Sequence, residues 1–194
     1  MKSRIIVAVL ALMLVGTSCE IVDPFLIALN LPLTVCDTIS AGSTWSEDDT
    51  YDIREEIRNI SASYVEDVRA TRVNDISVFM PNPPAAGTAS GTVDVALDNQ
   101  ALQRLLTFSN VPFSLLAGDG ISLRDEITGG GSVTIDFNNA VVASLLAALQ
   151  DSTGLPSIST VRIQTAGSTS VAVPQGTRIC AKISYQADVQ IGGD

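Results

Sequence analysis

The sequence predicts a mainly β protein, an antiparallel β-sandwich of about seven to nine strands with two or three short inserted helices. Three observations carry that prediction. Apolar residues alternate with polar ones over many short stretches, most cleanly along Thr177–Ile191. Clusters of Gly, Pro, Ser and Asn separate those stretches, as at Pro81–Gly87 and Ala117–Gly120. Clear helical spacing is confined to two places, each preceded by a capping residue.

The chain opens with Lys2 and Arg4, an eleven-residue apolar run Ile5–Val15, and the small residues Gly16, Thr17 and Ser18 before Cys19. Charge, apolar run and small residues are the three parts of an export signal. The run is too short to span a bilayer, which needs roughly 20 apolar residues. Residues 1–18 are therefore expected to be removed, residues 19–28 to form a short membrane-proximal segment, and 29–194 to form one domain. Where that segment meets the domain, Phe25–Leu29 has a second reading as a first turn or strand packed into the core.

Leu29, Leu31, Leu33, Val35 and Ile39 fall on one side of a strand, and Pro32 places that strand at an edge or at its start. Thr44–Thr50 reads as a weaker strand in which Trp45 packs and the acids face water. Asp52, with Glu55 three residues on, is the acceptor arrangement of a capping box. Ile53, Ile57, Ile60, Tyr64 and Val68 then recur at helical spacing, predicting a helix over 53–67 that covers one end or face of a sheet. A strand is expected from Val73 to Met80 and another over Thr92–Asp98. Gln100–Phe108 is open between a short helix and a strand. Val133, Ile135 and Phe137 alternate after a glycine triplet, Gly129–Gly131. That triplet leads into a strand and lacks a following Lys, so it reads as a turn and not as a phosphate loop. Asn138 or Asn139 caps a second helix over Ala140–Gln150, stopped by Gly154 and Pro156. Strands follow at Ser157–Thr165 and within Gly167–Gln175. On Thr177–Ile191, the odd-numbered residues from Ile179 to Ile191 form the apolar face.

Composition narrows the chemistry. With the export signal removed, nine basic residues stand against twenty-one acidic ones. Such a surface repels nucleic acid, whose binding rests on Lys and Arg contacts to phosphate. Histidine is absent, which removes Ser-His-Asp and Cys-His catalysis and His-ligated metal sites. A carboxylate-pair hydrolase needs no His, but it needs an aromatic-lined cleft, and one Trp and three Tyr make a poor sugar platform. No catalytic residues and no cofactor are expected. The densest acidic stretch offers a weak calcium candidate in Glu47, Asp48, Asp49 and Asp52. It contains no Gly and lacks EF-hand spacing, so a solvated strand end and helix start is preferred.

Cys36 and Cys180 lie on the polar sides of the first and last clear strands. If those strands pair, both thiols project from one sheet face within bridging reach, making them a disulfide candidate, with two unpaired cysteines as the alternative.

The stretch Gly16-Thr17-Ser18-Cys19-Glu20 resembles the lipobox of bacterial lipoproteins, in which the Cys is diacylated and becomes the mature N-terminus. Gly16 stands where that family usually has Leu; looser boxes ending in Ser-Cys and followed by an acidic residue are familiar from the Bacteroidota. Cysteine parity agrees, since lipidation of Cys19 leaves Cys36 and Cys180 as a pair. The alternative is an ordinary signal cleaved after Ser18 and a secreted product. Beyond the box, the chain is similar in pattern to Bacteroidota-type lipoproteins with a β-sandwich domain. It shares their short sequence after the Cys, an Ile-rich helix before a strand like Val73–Val78, and a Leu-rich helix before the last strands. The resemblance implies palmitate at Cys19, a place in the cell envelope at the outer membrane, and no activity. The expected role is a membrane-anchored structural or interaction module with a protein partner. A binder of carbohydrate or another small ligand is the second reading, and a carboxylate-based hydrolase the third.

Overall fold

The computed structural model describes residues 25–39, 43–61, 65–123, 133–150 and 158–191. The export signal, Cys19 and the glycine triplet lie outside them. Two antiparallel sheets pack face to face as a β-sandwich. The strands are β1 (Phe25–Ile39), β2 (Thr44–Asp52), β3 (Val65–Phe79), β4 (Thr88–Leu97), β5 (Gln103–Pro112), β6 (Ile121–Ser122), β7 (Thr134–Phe137), β8 (Thr160–Thr169) and β9 (Thr177–Ile191). Helix α1 (Ile53–Ser61) joins β2 to β3, and α2 (Asn139–Leu149) joins β7 to β8. One sheet has the order β1-β9-β3-β6 and the other β2-β8-β4-β5-β7.

The long sheet is built on β9. Phe25–Ile39 pairs with it without a break, from Phe25↔Ile191 to Ile39↔Thr177. Its inward row Ile179, Ala181, Ile183, Tyr185, Ala187 and Val189 is buried. Opposite it, Val93, Val95, Phe108, Val161 and Ile163 supply the other half of the core. Pro32 sits on the edge strand β1, where its missing N–H costs no ladder bond. The first strand starts at Phe25, so four residues of the expected membrane-proximal segment belong to the sheet; of the second reading of Phe25–Leu29, the strand is present.

The two sheets differ in length, and the helices make up the difference. β1, β3 and β9 have 15 residues each, whereas β4, β5 and β8 have 10. At roughly 3.3 Å per residue the long sheet overhangs by about 15 Å. α1 packs against β1 and β2, and α2 against β3 and β5, so each helix bridges the two sheets. Thr71 Oγ1 donates to the Leu149 carbonyl at 2.9 Å, fixing the end of α2 against the overhang. Ile53, Leu145 and Leu149 are fully buried there.

Local chemistry sets the helix boundaries. Asp52 Oδ1 accepts the Glu55 N–H at 2.9 Å, capping α1. Asn138 Oδ1 accepts the Val141 N–H at 3.3 Å, capping α2. The expected helix over 53–67 ends at Ser61, and the strand expected from Val73 starts at Val65. Val68 continues the helical spacing of Ile53, Ile57, Ile60 and Tyr64 by coincidence; pairing along β9 overrides it. Three bulges between Val65 and Asp75 let β3 keep that pairing despite its irregular pattern.

Four residues on one row explain the inner face of the shorter sheet. Trp45 on β2 pairs with Gly167 on β8, Gly167 with Gly91 on β4, and Gly91 with Phe108 on β5. The two glycines leave a trough, and the rings from either side lie over it. They stack at a centroid distance of 6.3 Å and 17°. Trp45 is 4% exposed, and its Nε1–H donates to Thr165 Oγ1 at 3.2 Å.

Candidate functional site

Cys36 and Cys180 are directly opposite one another in the β1–β9 ladder and are joined by a disulfide, with a Cα separation of 4.1 Å. The bond follows from register, because cross-strand neighbours on one face sit within bridging distance. Cys180 is buried, Cys36 half-buried. Cys19 is not among the described residues.

The acidic stretch disperses once it is folded. In a strand, successive side chains point to opposite faces, so Glu47 and Asp49 lie on one side of β2 and Asp48 on the other. Asp48 Oδ2 pairs with Arg162 Nε at 2.9 Å. Asp49 Oδ1 accepts the Thr50 N–H, and Asp52 is committed to its helix cap. Among the described residues no three His, Cys, Asp or Glu side chains are placed to hold a metal ion. Charged residues on an edge strand such as β2 serve a different end, since they discourage pairing with another chain.

One part of the acidic corner does converge. Tyr51 Oη donates to the Thr34 carbonyl at 2.6 Å, linking β2 to β1. Burial, followed by the nearby Asp49 carboxylate, pushes its hydroxyl well above the ordinary tyrosine range. Burial, then Glu55, Asp49 and Asp52, pushes the Glu56 carboxyl upward. The corner's described polar contacts are those of a packed sheet-to-helix joint.

The two ends of the sandwich offer different surfaces. At the end where β3 and β5 finish and β2, β4 and β9 begin, the connections 80–87, 113–120 and 170–176 gather with Ser43. Backbone hydrogen bonds tie them together: Met80 N to Leu116 O, Phe113 N to Gly87 O, Ser170 N to Thr88 O and Thr169 N to Ser43 O. Gly87, at φ +126°, passes so close to Phe113 and Val171 that any side chain there would collide with both. Among the described residues the exposed large hydrophobic side chains are Leu115 at 43% and Val171 at 46%, and both stand on this tip. Beside them Pro83, Pro84, Pro174 and Gly176 shape a concavity of about 320 Å³.

The opposite end holds a groove of about 460 Å³ between α2 and the end of β4. Val95, Leu97, Val141, Leu145 and Ile158 form its aliphatic walls. Gln100, Gln103 and Ser144 stand at its exposed rim. The rim is fixed by Asp98, whose φ of 52° places it in the left-handed region. Its Oδ1 accepts the Ser159 and Thr160 N–H groups at 2.8 and 2.9 Å, which holds the β4–β5 turn against Ile158. Those bonds lower the Asp98 carboxyl's pKa. Sequence reasoning singled out neither the groove nor the tip. The Pro81–Gly87 loop was visible, but the residues it faces come from distant parts of the chain.

Comparison with known proteins returns no match among family models, curated proteins or solved structures. A functional reading therefore rests on the residues themselves.

Proposed function

We propose that the protein is an exported, non-catalytic interaction module, lipid-anchored through Cys19 in the bacterial envelope, that presents the far tip of its sandwich to a protein partner. The observation that carries this reading is where the exposed aliphatic groups sit. β1 leads away from the Cys19 side, and Leu115, Val171 and the proline-shaped concavity lie at its other end. With 15 residues at roughly 3.3 Å each, β1 separates the two ends by about 45–50 Å. Five residues between Cys19 and Phe25 allow a reach of at most roughly 20 Å, so the opposite tip is the one that projects. Aliphatic side chains left in water on adjoining loops are the kind of anchor that a partner covers.

The Cys36–Cys180 disulfide supports the compartment, since such bonds persist outside the cytosol, and it leaves Cys19 as the unpaired thiol for acylation. The groove and the tip concavity have no carboxylate among their described lining residues, so they lend the hydrolase reading no support. The carbohydrate reading finds no support at the larger groove, which has no aromatic side chain among its described lining residues.

Two measurements test the proposal. Radiolabelled palmitate should enter the wild-type protein and be lost on Cys19→Ala; incorporation that survives the substitution rejects the anchor. A photo-crosslinking residue placed at position 115 or 171 should capture one defined envelope protein in intact cells, and Leu115→Asp with Val171→Asp should abolish that product. Equal capture from a position on the exposed face of α1, at the other end, would reject the tip as the docking surface.

A further inference from the structure

We propose that the groove between α2 and the end of β4 is a binding site for a small, neutral aliphatic molecule carrying one hydrogen-bonding head group, such as an alcohol or an amide. Its volume of about 460 Å³ falls within the ~300–1,000 Å³ typical of small-molecule sites. Volume alone selects no ligand, but the lining does.

Among the described residues, no charged side chain lines the groove. An anionic head would find no cation in a protein that carries a large net negative charge, and a cationic head would find no carboxylate. Among the described residues no aromatic ring lines it either, which leaves no stacking face of the kind that sugars and nucleobases use. What remains is an aliphatic wall, of which Val141, Leu145 and Ile158 are buried parts, and an amide-bearing mouth. Gln100 and Gln103 are exposed, and neither side-chain amide hydrogen-bonds to another part of the described protein. Together they offer donors and acceptors to a neutral head while the chain of the ligand covers the wall.

The groove is also held open. α2 turns its small residues Ser144, Ala147 and Ala148 toward the cavity, so the helix backbone lies close without filling the space. The other rim is kept in place by Asp98, which grips the backbone at Ser159 and Thr160. Both walls therefore exist before a ligand arrives, which lowers the ordering cost of binding. The proposal is independent of lipidation and of the far tip.

The test is titration of the purified protein with octan-1-ol, octanamide and octanoate, followed by methyl and amide NMR. Octanol and octanamide should bind saturably, moving the resonances of Val141, Leu145 and Ile158, and octanoate should bind at least tenfold more weakly. Ala148→Phe, which fills the groove, should weaken binding at least tenfold while the melting temperature confirms a folded protein. Gln100→Ala combined with Gln103→Ala changes two exposed residues and should weaken octanamide several-fold. Failure of both neutral probes to bind overturns the proposal. So does octanoate binding as tightly as octanol, or binding in Ala148→Phe as strong as in the wild type.

Discussion

The row Trp45–Gly167–Gly91–Phe108 makes a sharp claim, namely that the glycines are there to seat an indole. A Cβ added at Gly167 would lie 2.3 Å from Trp45 Cζ2, 2.6 Å from Cη2 and 2.4 Å from the Ser90 carbonyl oxygen. Ordinary contacts between carbons begin at roughly 3.5 Å, so the ring has to move by about 1 Å. Forcing one extra carbon into a packed core costs about 1–3 kcal/mol. Shifting the indole also strains its bond to Thr165, a fully buried hydroxyl, and a lost hydrogen bond adds about 1 kcal/mol. Gly167→Ala should therefore destabilise the protein by about 3 kcal/mol, lowering its melting temperature by about 6–12 °C. The decisive assay is a double-mutant cycle with Trp45→Leu, read by chemical denaturation. If the glycine serves the ring, the double variant is at least about 1 kcal/mol more stable than the two losses summed. Strict additivity, or a single-variant loss below about 1 kcal/mol, would refute the reasoning.

Other outcomes follow from the same geometry. Cys36→Ala with Cys180→Ala opens a loop whose ends are 144 residues apart, which by the chain-entropy argument costs about 5 kcal/mol; denaturation of both forms measures it, and an unchanged midpoint contradicts it. Asp52→Ala removes the cap of α1 and should cost about 1 kcal/mol, seen as a fall of about 2–4 °C in the melting temperature. Because burial and neighbouring acids raise the Glu56 pKa, its protonated form favours the folded state. That contribution is complete below the unfolded pKa and is lost as pH rises through the folded one. Glu56→Gln should therefore raise the melting temperature at about pH 7 and lose that advantage at about pH 4, where the native carboxyl is itself largely protonated. A gain independent of pH would place the effect elsewhere.

Much of the fold was legible because most of its strands are half-buried and alternate. β9 and its partner β1 could be read residue by residue, and with them the face on which the two cysteines lie. Where the backbone departs from alternation, the reading weakened. Leu105 and Leu106 are both fully buried, and the register shift between Val93 and Asp94 leaves Leu105 outside the regular pairing. Two adjacent leucines facing one core mimic a helical pattern, which is why Gln100–Phe108 was open between helix and strand. In α1, helical spacing runs on into β3 because Val68 coincides with it. The tip and the groove were illegible for another reason. Each is assembled from connections far apart in sequence, and the signal that joins them, such as Gly87 against Phe113 and Val171, is a distance that only the fold supplies.

The disulfide also sets a path for mechanical load. In a domain held at its first residues and gripped at its far tip, tension enters along β1 and would ordinarily shear that strand from β9. Cys36 and Cys180 lie near the tip end of the ladder, three residue pairs from its last pair Ile39↔Thr177. Force arriving at Cys36 crosses a covalent bond to Cys180 and reaches Gly176 and Pro174, which help to shape the tip concavity. The route from the start of β1 to the tip concavity is thus covalent almost throughout and bypasses the folded chain between the two cysteines, which are 144 residues apart in sequence. A pull applied at that tip would be borne by β1 and one sulfur bridge, leaving the core between the sheets unstretched.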